Sequence, residues 1–171
     1  MQFVLAQVVG ALAVVANAIG IQQKKKSRIM LSFVVAATLF TVSFILLGAY
    51  TGAIICFIGG VETLVSYFFC KKDKKLPRWL IGMFLAASVG GGILVYQNFF
   101  DALPILAAVT YIWTLVETKE SNIRKIMVFN VFLWIVYDFM VGAYVALISD
   151  VIFLTSTIVA MVRHDWKRKT S

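Results

Sequence analysis

The sequence predicts an all-α membrane protein of seven transmembrane helices, arranged as two parallel three-helix repeats joined by one linker helix (3+1+3). Three observations lead to this fold class: the composition, the clustering of the basic residues and a repeated Gly-Ala-Tyr motif. Hydrophobic residues make up 61% of the 171 residues and charged residues only 14%. Such a composition excludes an ordinary soluble globular domain and leaves no segment to form one.

Charge clusters divide the chain into four apolar tracts, 1–23, 29–70, 79–116 and 126–162. Because a helix needs roughly twenty apolar residues to cross the hydrocarbon core, the first tract fits one helix and the others two each. The units are then 1–70 (first repeat), 71–98 (linker helix) and 99–171 (second repeat with a cytoplasmic tail).

Individual helix limits follow from the same tracts. The expected ranges include Gln2–Gln22 for the first helix, Trp79–Gln97 for the linker and Asn122–Val141 for the sixth, with the fifth beginning after Asp101. Within the linker, Gly82, Ala86 and Gly90 recur at four-residue spacing, which favours close helix packing.

All sixteen Lys and Arg residues fall in four clusters, at 24–28, 71–78, 119–125 and 163–169. With seven spans, every cluster lies on one face of the membrane. Because Lys and Arg accumulate on the cytoplasmic side, the N-terminus is expected outside and the C-terminus inside. The net charge of +8 therefore predicts contact with anionic lipid headgroups on the cytoplasmic side and not with nucleic acid.

The two repeats are visible in the motif Gly48-Ala49-Tyr50, which recurs as Gly142-Ala143-Tyr144 at an offset of ninety-four residues. Aligned at this offset, Ser43–Tyr67 and Tyr137–Met161 match at seven of twenty-five positions. We predict a tight turn at each motif, with Gly48 and Gly142 in conformations that a side chain would strain. One intervening helix gives the two units the same orientation across the membrane.

Three acidic residues, Glu62, Asp138 and Asp150, lie inside tracts that contain no Lys or Arg. Placing a charged side chain at the centre of a transmembrane helix costs about 2.5–3.5 kcal/mol on insertion scales. That cost indicates an aqueous pathway, a proton site or a cationic ligand; the alternative is a protonated acid hydrogen-bonded between helices. Counting from the basic clusters places Glu62 near the midplane and both aspartates about 20 Å from the inner edge. Asp138 and Asp150 are therefore expected to share a site and to hold a proton between them.

Other polar and aromatic residues join the predicted substrate site. Asn130, Trp134 and Asp138 follow at four-residue steps and so share one helix face. Aromatic side chains would stack on an organic substrate. The candidates besides the three acids are Asn17, Trp113, Asn130, Trp134, Tyr137 and Thr157.

No arrangement typical of catalysis or of metal binding is present in the sequence. The single histidine, His164, lies in the tail, and Cys56 and Cys70 are the two cysteines. Serines inside the apolar tracts have no histidine there to activate them. We therefore expect neither an enzyme nor a cofactor or metal site.

Ser43–Tyr50, Leu103-Pro104 and Trp134–Phe153 with its Asp150 resemble the YgjV family of bacterial inner-membrane proteins, and the likeness covers most of the chain. In size and repeat that family is similar to the wider SWEET, PQ-loop and PnuC-type group, which moves sugars, amino acids or vitamins by facilitated diffusion. The resemblance implies an inner-membrane location. The Pro-Gln motif of the wider group is absent from helices 1 and 5.

Two functions remain open from the sequence. The first is a facilitator or proton-coupled carrier for a small polar or cationic molecule, bound between the two three-helix repeats. The second is a non-transporting membrane subunit or a receptor that uses the same fold to hold a ligand, since fold alone does not determine function. The substrate is not identified by the sequence, and a homo-oligomer is compatible with either function.

The topology is testable by cysteine labelling with a membrane-impermeant maleimide, in a background without Cys56 and Cys70. Cysteines placed at Thr51, Asn98 or Val145 are expected to react from outside, whereas those at Lys72, Lys74 or Ser121 should react only after permeabilisation. Labelling of position 121 from outside contradicts the seven-span arrangement.

Overall fold

The structure is a computed structural model that describes residues 1–21, 23, 26–72, 76–117 and 120–161. Over these ranges the chain forms seven α-helices and one short 3-10 turn, Phe99–Asp101. The helices are α1 (Gln2–Ile21), α2 (Lys26–Leu46), α3 (Tyr50–Lys71), α4 (Arg78–Leu94), α5 (Ala102–Val116), α6 (Glu120–Val141) and α7 (Tyr144–Met161). The prediction of an all-α protein is confirmed. Lys74, His164 and the tail cluster lie outside the described residues.

Three helices, α1, α2 and α3, are long and apolar enough to cross a membrane. Three further apolar segments are shorter: Arg78–Leu94, Phe99–Thr114 and Tyr144–Val159. Large hydrophobic side chains are exposed along the outer faces of the helices, as expected where lipid replaces water. The architecture is that of a membrane protein, and the count of seven spans stays a prediction.

Helix neighbours follow the chain order. In the first half α1 packs on α2 and α2 on α3, and in the second half α5 packs on α6 and α6 on α7. Between them α4 contacts both α3 and α5. Two further contacts, α1 with α7 and α3 with α5, join the halves.

The two Gly-Ala-Tyr motifs form the same turn. Gly48 and Gly142 have φ angles of 73° and 74°, in the left-handed region. In both turns the amide of the residue after the glycine donates to the carbonyl five residues before it, at 2.9 Å and 2.8 Å. The glycine's own amide donates to the carbonyl three residues back, at 3.0 Å and 3.4 Å. This pair of bonds is the Schellman helix ending, so the predicted tight turns are confirmed at both places.

The helix α4 ends at Leu94, three residues before the predicted Gln97, because the chain turns there into the 3-10 segment. The predicted packing face of this helix is wrong. A Cβ added at Gly82 or Gly90 would meet nothing within 4 Å, whereas one at Gly92 would lie 2.5 Å from Cγ1 of Ile105. The close approach to α5 therefore uses a glycine two residues beyond the predicted stripe.

A buried apolar cluster lies next to the two turns. The buried apolar cluster there consists of Phe44, Ala49, Ala53, Tyr137, Ala143 and Ala146. The Tyr137 hydroxyl accepts a hydrogen bond of 2.9 Å from the amide of Gly52, near the start of α3. A Cβ at Gly52 would lie 2.6 Å from Cε1 of Tyr137, so only glycine lets the ring dock. This end of the bundle is closed by direct contact between its two halves.

The side chain of Gln7 holds the second turn against α1. Its amide nitrogen donates to the carbonyl of Gly142 at 2.7 Å, and its oxygen accepts from the amide of Val145 at 3.2 Å. A polar side chain inside an apolar helix thus bonds across helices, as expected in lipid. It adds a second cross-connection at the closed end.

One proposed labelling position changes with the structure. The Thr51 side chain is only 1% exposed, and its hydroxyl donates to the carbonyl of Val95 at 3.3 Å. A cysteine there would be shielded from reagent. Tyr50, which is 48% exposed, is the better outer labelling position in this turn.

Replacing Gly48 or Gly142 by alanine should destabilise the protein by about 1–2 kcal/mol each, because a left-handed conformation places Cβ against the carbonyl. Space is not the cause, since a Cβ at Gly48 would meet nothing within 4 Å. The measurement is thermal unfolding of the purified variants in detergent.

Gly82→Ala is the matched control, because that glycine lies in a regular helix with open space around it. It should be neutral or stabilising, since alanine favours the helix by up to about 1 kcal/mol. Equal stability of all three alanine variants would show that the turns impose no backbone strain.

Candidate functional site

A cavity of about 320 Å³ lies near the middle of the bundle. Its described lining comes from α1 to α6 and includes no residue of α7. The lining residues are Asn17, Phe33, Ala37, Phe40, Ile55, Cys56, Gly59, Glu62, Thr63, Ser88, Ala107, Ala108, Tyr111, Ile112, Asn130 and Trp134. This volume is at the lower end of ligand pockets and suits a small molecule.

Four of the nine predicted site residues line this cavity: Asn17, Glu62, Asn130 and Trp134. They come from three different helices, α1, α3 and α6, so the tertiary fold and not local sequence brings them together. The other five predicted residues are not part of its lining: Trp113, Tyr137, Asp138, Asp150 and Thr157.

Glu62 is the carboxylate of the cavity wall. It is 5% exposed, and its Oε1 atom has no hydrogen-bond partner among the described residues. Tyr111, also in the wall, lies within electrostatic reach of it. A buried carboxylate oxygen without a donor is unusual, because burial removes the water that would otherwise solvate it.

Asn130 connects α6 to α5 at the cavity. Its side-chain nitrogen donates to the carbonyl of Ala107 and, at 2.9 Å, to the hydroxyl of Thr110. The carbonyl partner accepts only, which fixes the nitrogen on that side of the amide. Both N–H groups are thus used, and the group that Asn130 can offer a ligand is its oxygen.

Trp134 forms an aromatic part of the wall and is held by two other rings. Its ring centroid lies 6.1 Å from that of Phe44, in a stacked arrangement, and 6.1 Å from that of Tyr137, edge to face. Such contacts restrict the indole before any ligand arrives. The cavity is thereby joined to the packed cluster at the turn end.

Asp138 lies one turn beyond Trp134, toward the closed end. It is 1% exposed, and its Oδ1 atom has no hydrogen-bond partner among the described residues. Asp150 of α7 lies within electrostatic reach of it, and Cys56 of α3 lies within reach of both. The two acids are therefore not part of the cavity lining, whereas Cys56, which lies within reach of both, is.

The remaining predicted residues point elsewhere. Trp113 is 61% exposed on the outer surface of α5, because it lies about 200° around the helix from Tyr111. The Thr157 hydroxyl donates back to the carbonyl of Phe153 in its own helix. Tyr137 is fully buried in the packed cluster, where it docks on Gly52.

Residues that the prediction missed include Phe33, Phe40, Cys56 and Tyr111. The α5 members follow helical spacing, since Ala107, Ala108, Tyr111 and Ile112 lie three or four residues apart on one face. That periodicity was visible in the sequence. The aromatic pair of α2, Phe33 and Phe40, gave no comparable signal, because the apolar residues of this helix are not confined to one face.

Comparison with known proteins gives one family and one curated relative. The family model Imp-YgjV, described as bacterial inner membrane protein, matches residues 4–168. The inner membrane protein YgjV of Escherichia coli (strain K12) is 22% identical over 139 residues, which cover 81% of this chain and 73% of that protein. No solved structure gives a significant match.

Proposed function

The chain belongs to the Imp-YgjV family of bacterial inner membrane proteins, and from that premise we propose that it is a facilitator or proton-coupled carrier. Its substrate is a small polar or cationic molecule, bound between two three-helix units. The observation that carries this proposal is the cavity of about 320 Å³. Polar groups from both halves of the chain line it, among them the buried Glu62 and the partly buried Asn130, as in binding sites for small molecules.

The 3+1+3 arrangement is supported by the helix contacts. At the offset of ninety-four residues, α1, α2 and α3 correspond to α5, α6 and α7. The contact of α1 with α7 then corresponds to that of α5 with α3, and both are present. The turns correspond in backbone geometry as well. Repeats of this kind commonly place a substrate site at their interface.

The orientation follows from the basic clusters, which place the two Gly-Ala-Tyr turns on the outer side and the N-terminus outside. The closed end of the bundle is then the outer end, sealed by the cluster around Tyr137. The cavity lies below it, with Asn17 and Phe33 toward the cytoplasmic ends of α1 and α2. In the proposed orientation, this arrangement is a carrier state closed toward the outside.

We favour transport over catalysis because of the chemistry of the wall. Its nucleophilic groups are Cys56, Thr63 and Ser88, and the described lining includes no histidine, lysine or arginine to activate them. Glu62 is the carboxylate in this wall, and its Oε1 atom accepts no hydrogen bond from any of the three. The Thr63 hydroxyl is engaged with the carbonyl of Gly59 at 2.7 Å. These groups suit hydrogen bonding to a solute.

Transport is tested by reconstituting the protein in liposomes and exposing them to a mixture of small amines, amino acids, sugars and vitamins. Mass spectrometry of the vesicle contents shows which solutes enter faster than in empty liposomes. The blocked variant is Gly59→Phe, since a side chain there enters open space in the cavity wall. We expect its uptake to fall to the level of empty liposomes.

Gly82→Phe is the matched control, because that glycine also faces open space but lies outside the cavity lining. It should transport like the wild type. If no solute enters faster than in empty liposomes, while a solute still binds the purified protein, the chain is a non-transporting receptor or subunit.

Proton coupling is tested on the acid pair with the solute that the uptake screen identifies. Asp150→Asn should flatten the dependence of uptake on pH between about pH 5 and 8, because it removes one of two interacting carboxyl groups. The double variant with Asp138→Asn should be little worse, since the two groups act as a unit.

Ser156→Ala, on an exposed position of the same helix, is the control and should keep the wild-type pH profile. An unchanged pH profile in Asp150→Asn would make the protein a facilitator that does not use the acid pair.

A further inference from the structure

The wall of the cavity is rich in hydrogen-bond acceptors. Glu62 brings a carboxylate and Asn130 brings its side-chain oxygen. The Thr63 hydroxyl donates its hydrogen bond to the Gly59 carbonyl, so toward a ligand it can only accept. No lysine, arginine or histidine is found in the described lining, and the sequence places all sixteen Lys and Arg in the four clusters. An anionic ligand would therefore meet a carboxylate with nothing to neutralise it.

The carboxylate itself lacks a partner. Oε1 of Glu62 is buried and accepts no hydrogen bond from the described residues. Burying such a group is costly unless a donor or a cation completes it. A cation in the cavity would supply what the protein does not.

The cavity wall also contains four aromatic side chains. Phe33, Phe40, Tyr111 and Trp134 contribute to the wall. Ring faces attract cations, most strongly when water is excluded, and Trp is the best of these rings. Trp134 is already held by Phe44 and Tyr137, so a ligand need not order it.

We propose that the cavity binds a small organic monocation, an ammonium or quaternary ammonium compound, with Glu62 as its counter-ion and Trp134 and Tyr111 as aromatic walls. This inference rests on the proposed function and names the ligand class of the same site. An organic cation fits better than a metal ion, because four aromatic side chains line the same cavity as the carboxylate and no group of three or more metal-ligating side chains exists among the described residues.

The probes are choline and 3,3-dimethylbutan-1-ol, which have nearly the same shape and differ in the charge of the central atom. Ethanolamine adds a primary ammonium. Binding to the purified full-length protein is measured by titration calorimetry and by the change in tryptophan fluorescence at fixed ionic strength. We expect choline or ethanolamine to bind at least about ten times more tightly than the neutral isostere, because the buried carboxylate of Glu62 attracts a positive charge.

Glu62→Gln keeps the shape of the side chain and removes its charge. The cation should then bind about tenfold or more weakly, to the level of the neutral isostere. Glu62→Asp should restore part of the affinity, a result that a merely structural role does not predict. Glu117→Gln, which removes a carboxylate outside the cavity lining, is the control and should bind the cation like the wild type.

Failure takes two distinguishable forms. If the neutral isostere binds as tightly as the cation and Gly59→Phe abolishes both, the cavity is a ligand site, as the proposed function requires, but it does not select cations. If neither cation binds, or if Glu62→Gln leaves cation binding unchanged, the assignment of Glu62 as counter-ion is overturned. The comparison of charged and neutral probes on the wild type holds even if a Glu62 variant does not fold.

Discussion

The docking of Tyr137 on Gly52 is the contact on which the two halves of the bundle depend. The tyrosine ring occupies the space that any side chain at position 52 would need. Its hydroxyl in turn accepts from an amide in the first turn of α3, where helix geometry leaves N–H groups without partners. A side chain of α6, in the second half, thus supplies the acceptor that an N–H group of α3, in the first half, lacks. This contact closes one end of the bundle.

This contact also determines the shape of the cavity. Tyr137 packs on Phe44 and Trp134, with ring centroids about 6 Å apart in each pair. Trp134 is at once a neighbour of the closed end and part of the cavity wall. Any motion that separated Tyr137 from Gly52 would therefore move an aromatic wall of the proposed binding site.

The buried carboxyl groups divide into two environments. Glu62 stands at the wall of the cavity, whereas Asp138 lies in packed surroundings with Asp150 within electrostatic reach. At the repeat offset, Asp150 occupies the position that Cys56 holds in the first unit. The two units thus share their backbone and turns but carry different chemistry at this level.

The turns, the apolar helices and the acids inside them were determined by the sequence alone, because each depends on local geometry or on the cost of charge in an apolar segment. The left-handed conformation of the glycine in each motif could be predicted without knowing which residues pack around it. The packing face of α4 could not be predicted in this way: Gly92 and not Gly82 approaches another helix, since Ile105 lies there. The cavity was decided only by the tertiary structure, which selects Tyr111 over Trp113 and separates Glu62 from the aspartates. The sequence shows how far along its helix each residue lies. Which face of a helix meets its neighbour depends on how all the side chains pack together.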